Sequence, residues 1–145
     1  MAIPEPIPGL VISYAYLWAD EANRGLEESA KDRPCAIVLA RRIAQEKIVV
    51  TVVPITHTPP SEEAACLELP TALKLHLGLD ELPSWIVLSE VNHFVWPGPD
   101  IRPIHGTNPP QFSFGVLPPG FFRRLKDGLM EAITAGRVAQ VKRTQ

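Results

Sequence analysis

Between Pro34 and Val53 the chain reads PCAIVLA, then the polar connection RRIAQE, then KIVVTVV. Two β-branched-rich apolar runs on either side of a short polar turn specify a β-hairpin, and their lack of polar alternation predicts strands buried on both faces. Antiparallel pairing sets the start of the first strand beside the finish of the second. The residues at those two places are Arg33, held extended by the proline that follows it, and the pair Thr56–His57. The hairpin therefore acts as a ruler that co-locates a guanidinium, a hydroxyl and an imidazole.

The remainder predicts more short strands. Sixteen prolines against nine glycines describe strands joined by stiff loops, because proline presets the backbone and cannot donate to a ladder. Leu10–Trp18 alternates as a strand, and the acidic stretch Ala19–Lys31 reads as a long loop with room for a helical turn. Thr58–Glu63 is a proline-rich loop and Ala65–Leu69 a short strand. Thr71–Gly78 reads as a short helix capped by Thr71 and stopped by Gly78. Ser84–Glu90 and Gln111–Leu117 are further strands, while residues 97–110 hold five prolines and exclude a regular element. Pro119–Gly136 is the one long helix, with Phe121, Leu125, Leu129 and Ile133 recurring at spacing four. A mainly β, α+β fold follows: a small, strongly curved antiparallel barrel with a C-terminal helix.

At 145 residues the chain is one domain, residues 1–145, with its core over about 8–135, a proline-rich N-terminal arm and a short basic C-terminal tail. The net charge of −2 advertises no global affinity for nucleic acid, though it leaves room for a local patch. The N-terminus lacks a basic region followed by a long apolar stretch, and no apolar run approaches the roughly eighteen residues that span a bilayer. The expectation is a soluble, cytoplasmic protein that does not engage membranes. Cys35 and Cys66 lie in strand-like contexts and read as buried thiols rather than a disulfide. His76, His93 and His105 show no metal-ligand spacing, and there is no HExxH or paired CxxC, so no metal or other cofactor is expected.

Arg33, Thr56 and His57 are the candidate catalytic residues. A guanidinium offers a planar fork of donors to phosphate, a threonine hydroxyl can donate to a phosphate oxygen, and histidine moves protons near neutrality. RNA cleavage through its own 2′-hydroxyl needs only a base, an acid and charge stabilisation, because the nucleophile is already tethered. The same residues also suit plainer roles: an arginine before a strand makes surface ion pairs, and a Thr-His in a loop hydrogen-bonds backbone. Trp18, Trp85 and Trp96 could stack on bases, although Trp85 within SWIVL reads as core.

PGLVISY, KDRPCAIVL, VVPITHTPP, SWIVLSEVN and FGVLPPGFFRRLKDGL follow one another in an order that resembles PemK/MazF-type toxins, endoribonucleases of bacterial toxin–antitoxin systems. The resemblance covers roughly residues 8 to 135; residues 92–110 have no counterpart in the family pattern, and His57 stands where the family carries Ser or Thr. It implies an SH3-like barrel, a homodimer, and metal-independent cleavage of single-stranded RNA that leaves a 2′,3′-cyclic phosphate. On it, Arg33 matches the family's catalytic arginine, Thr56 the threonine that works with it, and Glu90 an acidic position near the RNA groove. Glu90, Asn92 and Arg41 are the candidate substrate-binding residues. The implied partners are single-stranded RNA and a small acidic antitoxin. The alternative is a non-catalytic barrel that binds a protein or nucleic acid, since the same fold includes a toxin that poisons gyrase by binding.

Overall fold

The predicted hairpin is the spine of the molecule. In the computed structural model, which describes residues 3–26, 31–61 and 65–143, strand β2 (Lys31–Arg42) pairs antiparallel with β3 (Ile48–Thr56) across a single 3-10 turn at Ala44–Glu46. Residues 27–30 of the expected acidic loop and 62–64 at the end of the proline-rich one lie outside the described residues. Strand β1 (Leu10–Tyr16) adds to the free edge of β2, and β7 (Ser113–Val116) adds to β1. The register slips between Val11 and Ile12 on β1 and between Ile37 and Leu39 on β2, and such irregularities bend a sheet toward closure.

The other edge of β3 is shared by two partners, which splits the sheet. Its first half pairs with β6 (Glu90–Val95), from Val49 opposite Val95 to Val52 opposite Asn92. Its last two residues pair with β5 (Trp85–Val87), Ile55 opposite Ile86 and Thr56 opposite Trp85. Strand β4 (Cys66–Glu68) extends β5, and β8 (Ala139–Lys142) extends β6 in parallel. The helices are α1 (Ala19–Asn23), α2 (Thr71–His76) and α3 (Pro119–Thr134). The result is a curled, mostly antiparallel sheet that forms a half-barrel with a C-terminal helix, the α+β, barrel-like class that the hydrophobic pattern predicts.

Both faces of the central strands are covered, which explains their unbroken apolar runs. On one face Val11, Ala36, Val53 and Ile55 pack with Leu73 of α2 and with Phe121, Leu125 and Leu129 of α3. On the other, Ile12, Tyr14, Tyr16, Cys35, Val50 and Val52 pack against Phe94, Ile101 and Phe112. The proline-rich stretch between β6 and β7 has no regular element of its own, as expected, yet it roofs this second core. Ala15 N–H donates to Asp100 O (2.9 Å), Arg102 N–H to Ser13 O (2.9 Å) and Ser13 N–H to Phe112 O (3.0 Å), fastening it across β1.

Several expected boundaries shift for physical reasons. The predicted strand Ser84–Glu90 is two strands, β5 and the start of β6, because β3 is served by different partners along its length. The C-terminal tail contributes β8, whose Val141 is buried opposite Asn92. Pro70 rather than Thr71 is the N-cap of α2. In α3 the buried stripe ends at Ala132, leaving Ile133 48% exposed, since a stripe stepping by four drifts off a 3.6-residue turn. No helix among the described residues is long and apolar enough to cross a membrane.

Candidate active site at the open end of the hairpin

Cys35 stands opposite Pro54 in the β2–β3 ladder, and two residues further out along each strand lie Arg33 and Thr56. Side chains return to the same face every second residue, so both share the face of Cys35 and Pro54 at the open end of the hairpin. His57, one residue on, starts on the opposite face. The ruler thus puts Arg33 and Thr56 on one face at the same end of the hairpin, and His57 on the other.

Arg33 is half-buried beside Tyr14 of β1, with its guanidinium carbon 5.0 Å from the centroid of Trp18. Its Nε is buried with no hydrogen-bond partner among the described residues. A buried donor left unpaired costs about 1–3 kcal/mol. Trp18 forms one wall of a cavity of about 300 Å3 whose other walls include Thr56, Trp85, Pro59, Pro60 and Cys66. Thr56 is 9% exposed, and its hydroxyl oxygen accepts the Thr58 N–H at 3.1 Å, which leaves the hydroxyl proton available to donate. Trp85, expected as core, is half-buried and lines this cavity as the cross-strand neighbour of Thr56. Burial pushes both thiols up, Cys35 with no help from its neighbours except a small opposing pull from Arg33, and Cys66 further through Glu68, so neither is a thiolate at neutral pH.

The segment that carries Trp18 is clamped from behind by two of the residues predicted to bind substrate. Glu90 Oε1 accepts the Tyr16 hydroxyl (3.1 Å) and the Ala19 N–H (2.8 Å). Burial raises the Glu90 carboxyl above the usual carboxylate range, against the opposing pull of those two bonds. Asn92 is fully buried; its Oδ1 accepts the Leu17 N–H (3.0 Å) and its Nδ2 donates to Leu17 O (2.8 Å). With both amide groups spent on backbone and no exposure, Asn92 holds β1 against β6 and does not reach a ligand. The two residues therefore fix Trp18, which in turn carries Arg33.

His57 belongs to a separate network. Its Nε2 lies 2.9 Å from Asp80 Oδ2, and its Nδ1 lies 2.9 Å from Pro83 O and 3.0 Å from Ser84 Oγ. The buried Lys74 ammonium donates to Asp80 Oδ1 (3.0 Å), to Ser84 Oγ (2.8 Å) and to Leu82 O. Burial alone would raise Asp80, but the Lys74 bond, the Leu82 N–H and His57 outweigh it and hold the carboxyl low. Ser, His and Asp are the parts of a hydrolytic relay, yet Ser84 is 1% exposed with its oxygen occupied by the Lys74 ammonium. The cluster braces the turn before β5 against the end of β3, and so sets Trp85 across from Thr56.

Arg41 lies eight residues along β2 from Arg33, about 26 Å at 3.3 Å per residue. Beyond the slip at Ile37/Leu39 it pairs with Val49, whose neighbours Val50 and Val52 supply the second core, so Arg41 faces away from the Arg33 side. It lines a different cavity. Sequence reasoning pointed to Arg33 and Thr56, which share a face, and named Trp18 and Trp85 as aromatic candidates while reading Trp85 as core; the visible signal that Trp85 lines the cavity was its place directly opposite the strand end that carries Thr56. Among the described residues no group of three or more His, Cys, Asp or Glu side chains is arranged to hold a metal ion. No protein-family model matches the chain, and no curated protein or solved structure matches it either.

Proposed function

We propose that the chain is a metal-independent endoribonuclease of the PemK/MazF toxin type that cuts single-stranded RNA in the Arg33–Thr56 groove. The observation that carries this is Arg33: a half-buried cation stacked on Trp18, a residue that lines the same groove as Thr56. Two tryptophans in the walls suit unstacked bases, which bind aromatic faces for about 1–3 kcal/mol each. In the step proposed, the 2′ oxygen forms a bond to phosphorus and the bond from phosphorus to the 5′ oxygen breaks. Solvent water accepts the 2′-hydroxyl proton and supplies one to the 5′ oxygen, giving a cyclic phosphate and a free 5′-hydroxyl. Arg33 neutralises the charge that builds on the phosphorane oxygens, and Thr56 donates to one of them. His57, tied to Asp80 and Ser84, acts as a brace in this scheme.

The partners follow the same proposal. Leu39, Met130 and Ile133, respectively 50, 56 and 48% exposed, line an apolar cavity of about 250 Å3 between α3 and the sheet, which supports a second copy of the chain as its cover. An acidic antitoxin would compete with RNA for Arg33, and such a system works in the cytoplasm. A non-catalytic, nucleic-acid-binding barrel is the second reading, favoured by one observation: no acid or base side chain lines the groove among the described residues. The two separate on one substrate pair. Cleavage in excess EDTA of an RNA, but not of the same strand with deoxyribose at the cut site, supports the nuclease; tight binding of both strands without cleavage supports the binding module.

A further inference from the structure

Another cavity lies away from the Arg33 groove and has a different chemistry. Its volume is about 420 Å3, within the range of small-ligand sites, and its lining includes Arg41, Lys142, His93, Ile43, Val49 and Val95. The register explains why these residues meet. Arg41 is opposite Val49 and Val49 opposite Val95, while His93 is opposite both Thr51 and Lys142. Paired residues share a face, so β2, β3, β6 and β8 present these side chains as adjacent rows on one side of the sheet. Arg41 and Lys142 stand on strands three steps apart, about 14 Å at 4.8 Å per step, a span that two long side chains can close over an anion from opposite sides.

Charge points the same way. The side chains of Arg41 and Lys142 are exposed and make no ion pair or hydrogen bond among the described residues, and no carboxylate is among the cavity's lining residues. Arg143, also on the wall, is matched to Asp100 at 3.2 Å. His93 is fixed as part of the floor, its Nδ1 2.8 Å from Thr51 Oγ1 and its Nε2 3.0 Å from Gln140 Oε1. The chain's net charge is −2, so this cationic concavity does not mirror the overall balance. Ile43, Val49 and Val95 give it an apolar wall that an inorganic anion would not need.

We propose that this cavity is a second ligand site that takes a nucleotide: phosphate between Arg41 and Lys142, base against Ile43, Val49 and Val95. The nucleotide has two sources, a free mononucleotide or a segment of a longer strand, and both carry the same chemistry. The site lies on the opposite face from Arg33 and does not depend on cleavage there.

The test is amide chemical-shift mapping of the full chain titrated separately with uridine monophosphate, adenosine monophosphate, pyrophosphate and a single-stranded RNA dodecamer. Either mononucleotide should shift Val49, His93 and Val95 if the ligand is free nucleotide; the dodecamer alone should shift them if the source is a strand. In both cases Arg41→Glu with Lys142→Glu, at two exposed positions that leave the fold intact, should weaken binding by roughly a hundredfold or more. For the dodecamer it should also reduce the dependence of log K on log salt by about 1.4, two single-strand phosphate contacts at about 0.7 each. The proposal is overturned if no probe moves these amides, if the doubly reversed protein binds as the wild type does, or if pyrophosphate binds as tightly as the nucleotides.

Discussion

Asn92 offers the sharpest separation between a ligand contact and a structural clamp. Its side chain is 0% exposed and holds both the N–H and the carbonyl of Leu17. Asn92→Ala strands both groups in a buried site where each orphan costs about 1–3 kcal/mol, so the loss should be about 2–6 kcal/mol. Against a total of about 5–15 kcal/mol for a domain, that is a large fraction. At about 2–4 °C per kcal/mol for a chain near this size, the melting midpoint should fall by about 4–24 °C. Asn92→Asp should be at least as damaging, because it keeps an acceptor for the Leu17 N–H but turns a second acceptor toward the Leu17 carbonyl. Urea titration and thermal melts followed by circular dichroism read the effect directly. An Asn92→Ala protein as stable as the wild type but with weakened RNA binding would refute the clamp and restore Asn92 to the binding surface.

Three further outcomes follow from the charges and the exposed apolar face. Glu90 is raised by burial, so the folded state binds a proton that the unfolded chain releases; the stability this contributes is present at low pH and lost as pH rises through the folded value. Glu90→Gln keeps an oxygen for Tyr16 and Ala19 and should melt higher than the wild type at neutral pH, with the gap closing in acid; a gap that widens in acid would be the wrong sign. Asp80 is held low, so its stability is present above the usual carboxylate range and lost as pH falls through the folded value, and Asp80→Asn should flatten that acid limb of the melting curve. Met130→Asp, placed on the exposed apolar stretch of α3, should convert the proposed homodimer to monomer in light scattering without lowering the melting point of the monomer, whereas an unchanged mass would remove α3 from the interface.

The hairpin is legible because its two runs are long, β-branched and unbroken, and the same pairing puts Arg33 and Thr56 at one end of it. The terminal helix was legible from Phe121, Leu125 and Leu129. What failed to show was what tertiary partners decide. In β6 the polar pair Asn92–His93 interrupts the apolar pattern, and only the Leu17 backbone explains why Asn92 is buried there. Strand β8 is four residues long and exists as an addition to β6, with no periodicity of its own to announce it. The stretch after Trp96 carries Ile101 and Phe112 as isolated apolar residues among prolines, so its role as a roof could not be read from spacing. His57 looked catalytic by adjacency to Thr56, but neighbours along a strand face opposite ways, and Asp80 and Ser84 lie far from it in sequence.

The central claim, that Arg33 carries RNA cleavage, is tested most directly by single-turnover cutting of one single-stranded RNA in excess EDTA by wild-type and Arg33→Ala protein. Losing Arg33 removes a contact with Trp18 worth about 0.5–1 kcal/mol and also removes an unpaired buried donor, so the variant should remain folded. Loss of a donor aimed at transition-state charge should slow cleavage by about a hundred- to a thousandfold, and Arg33→Lys, which keeps charge but loses the fork, should recover little. A folded Arg33→Ala protein that cuts at the wild-type rate would contradict the account.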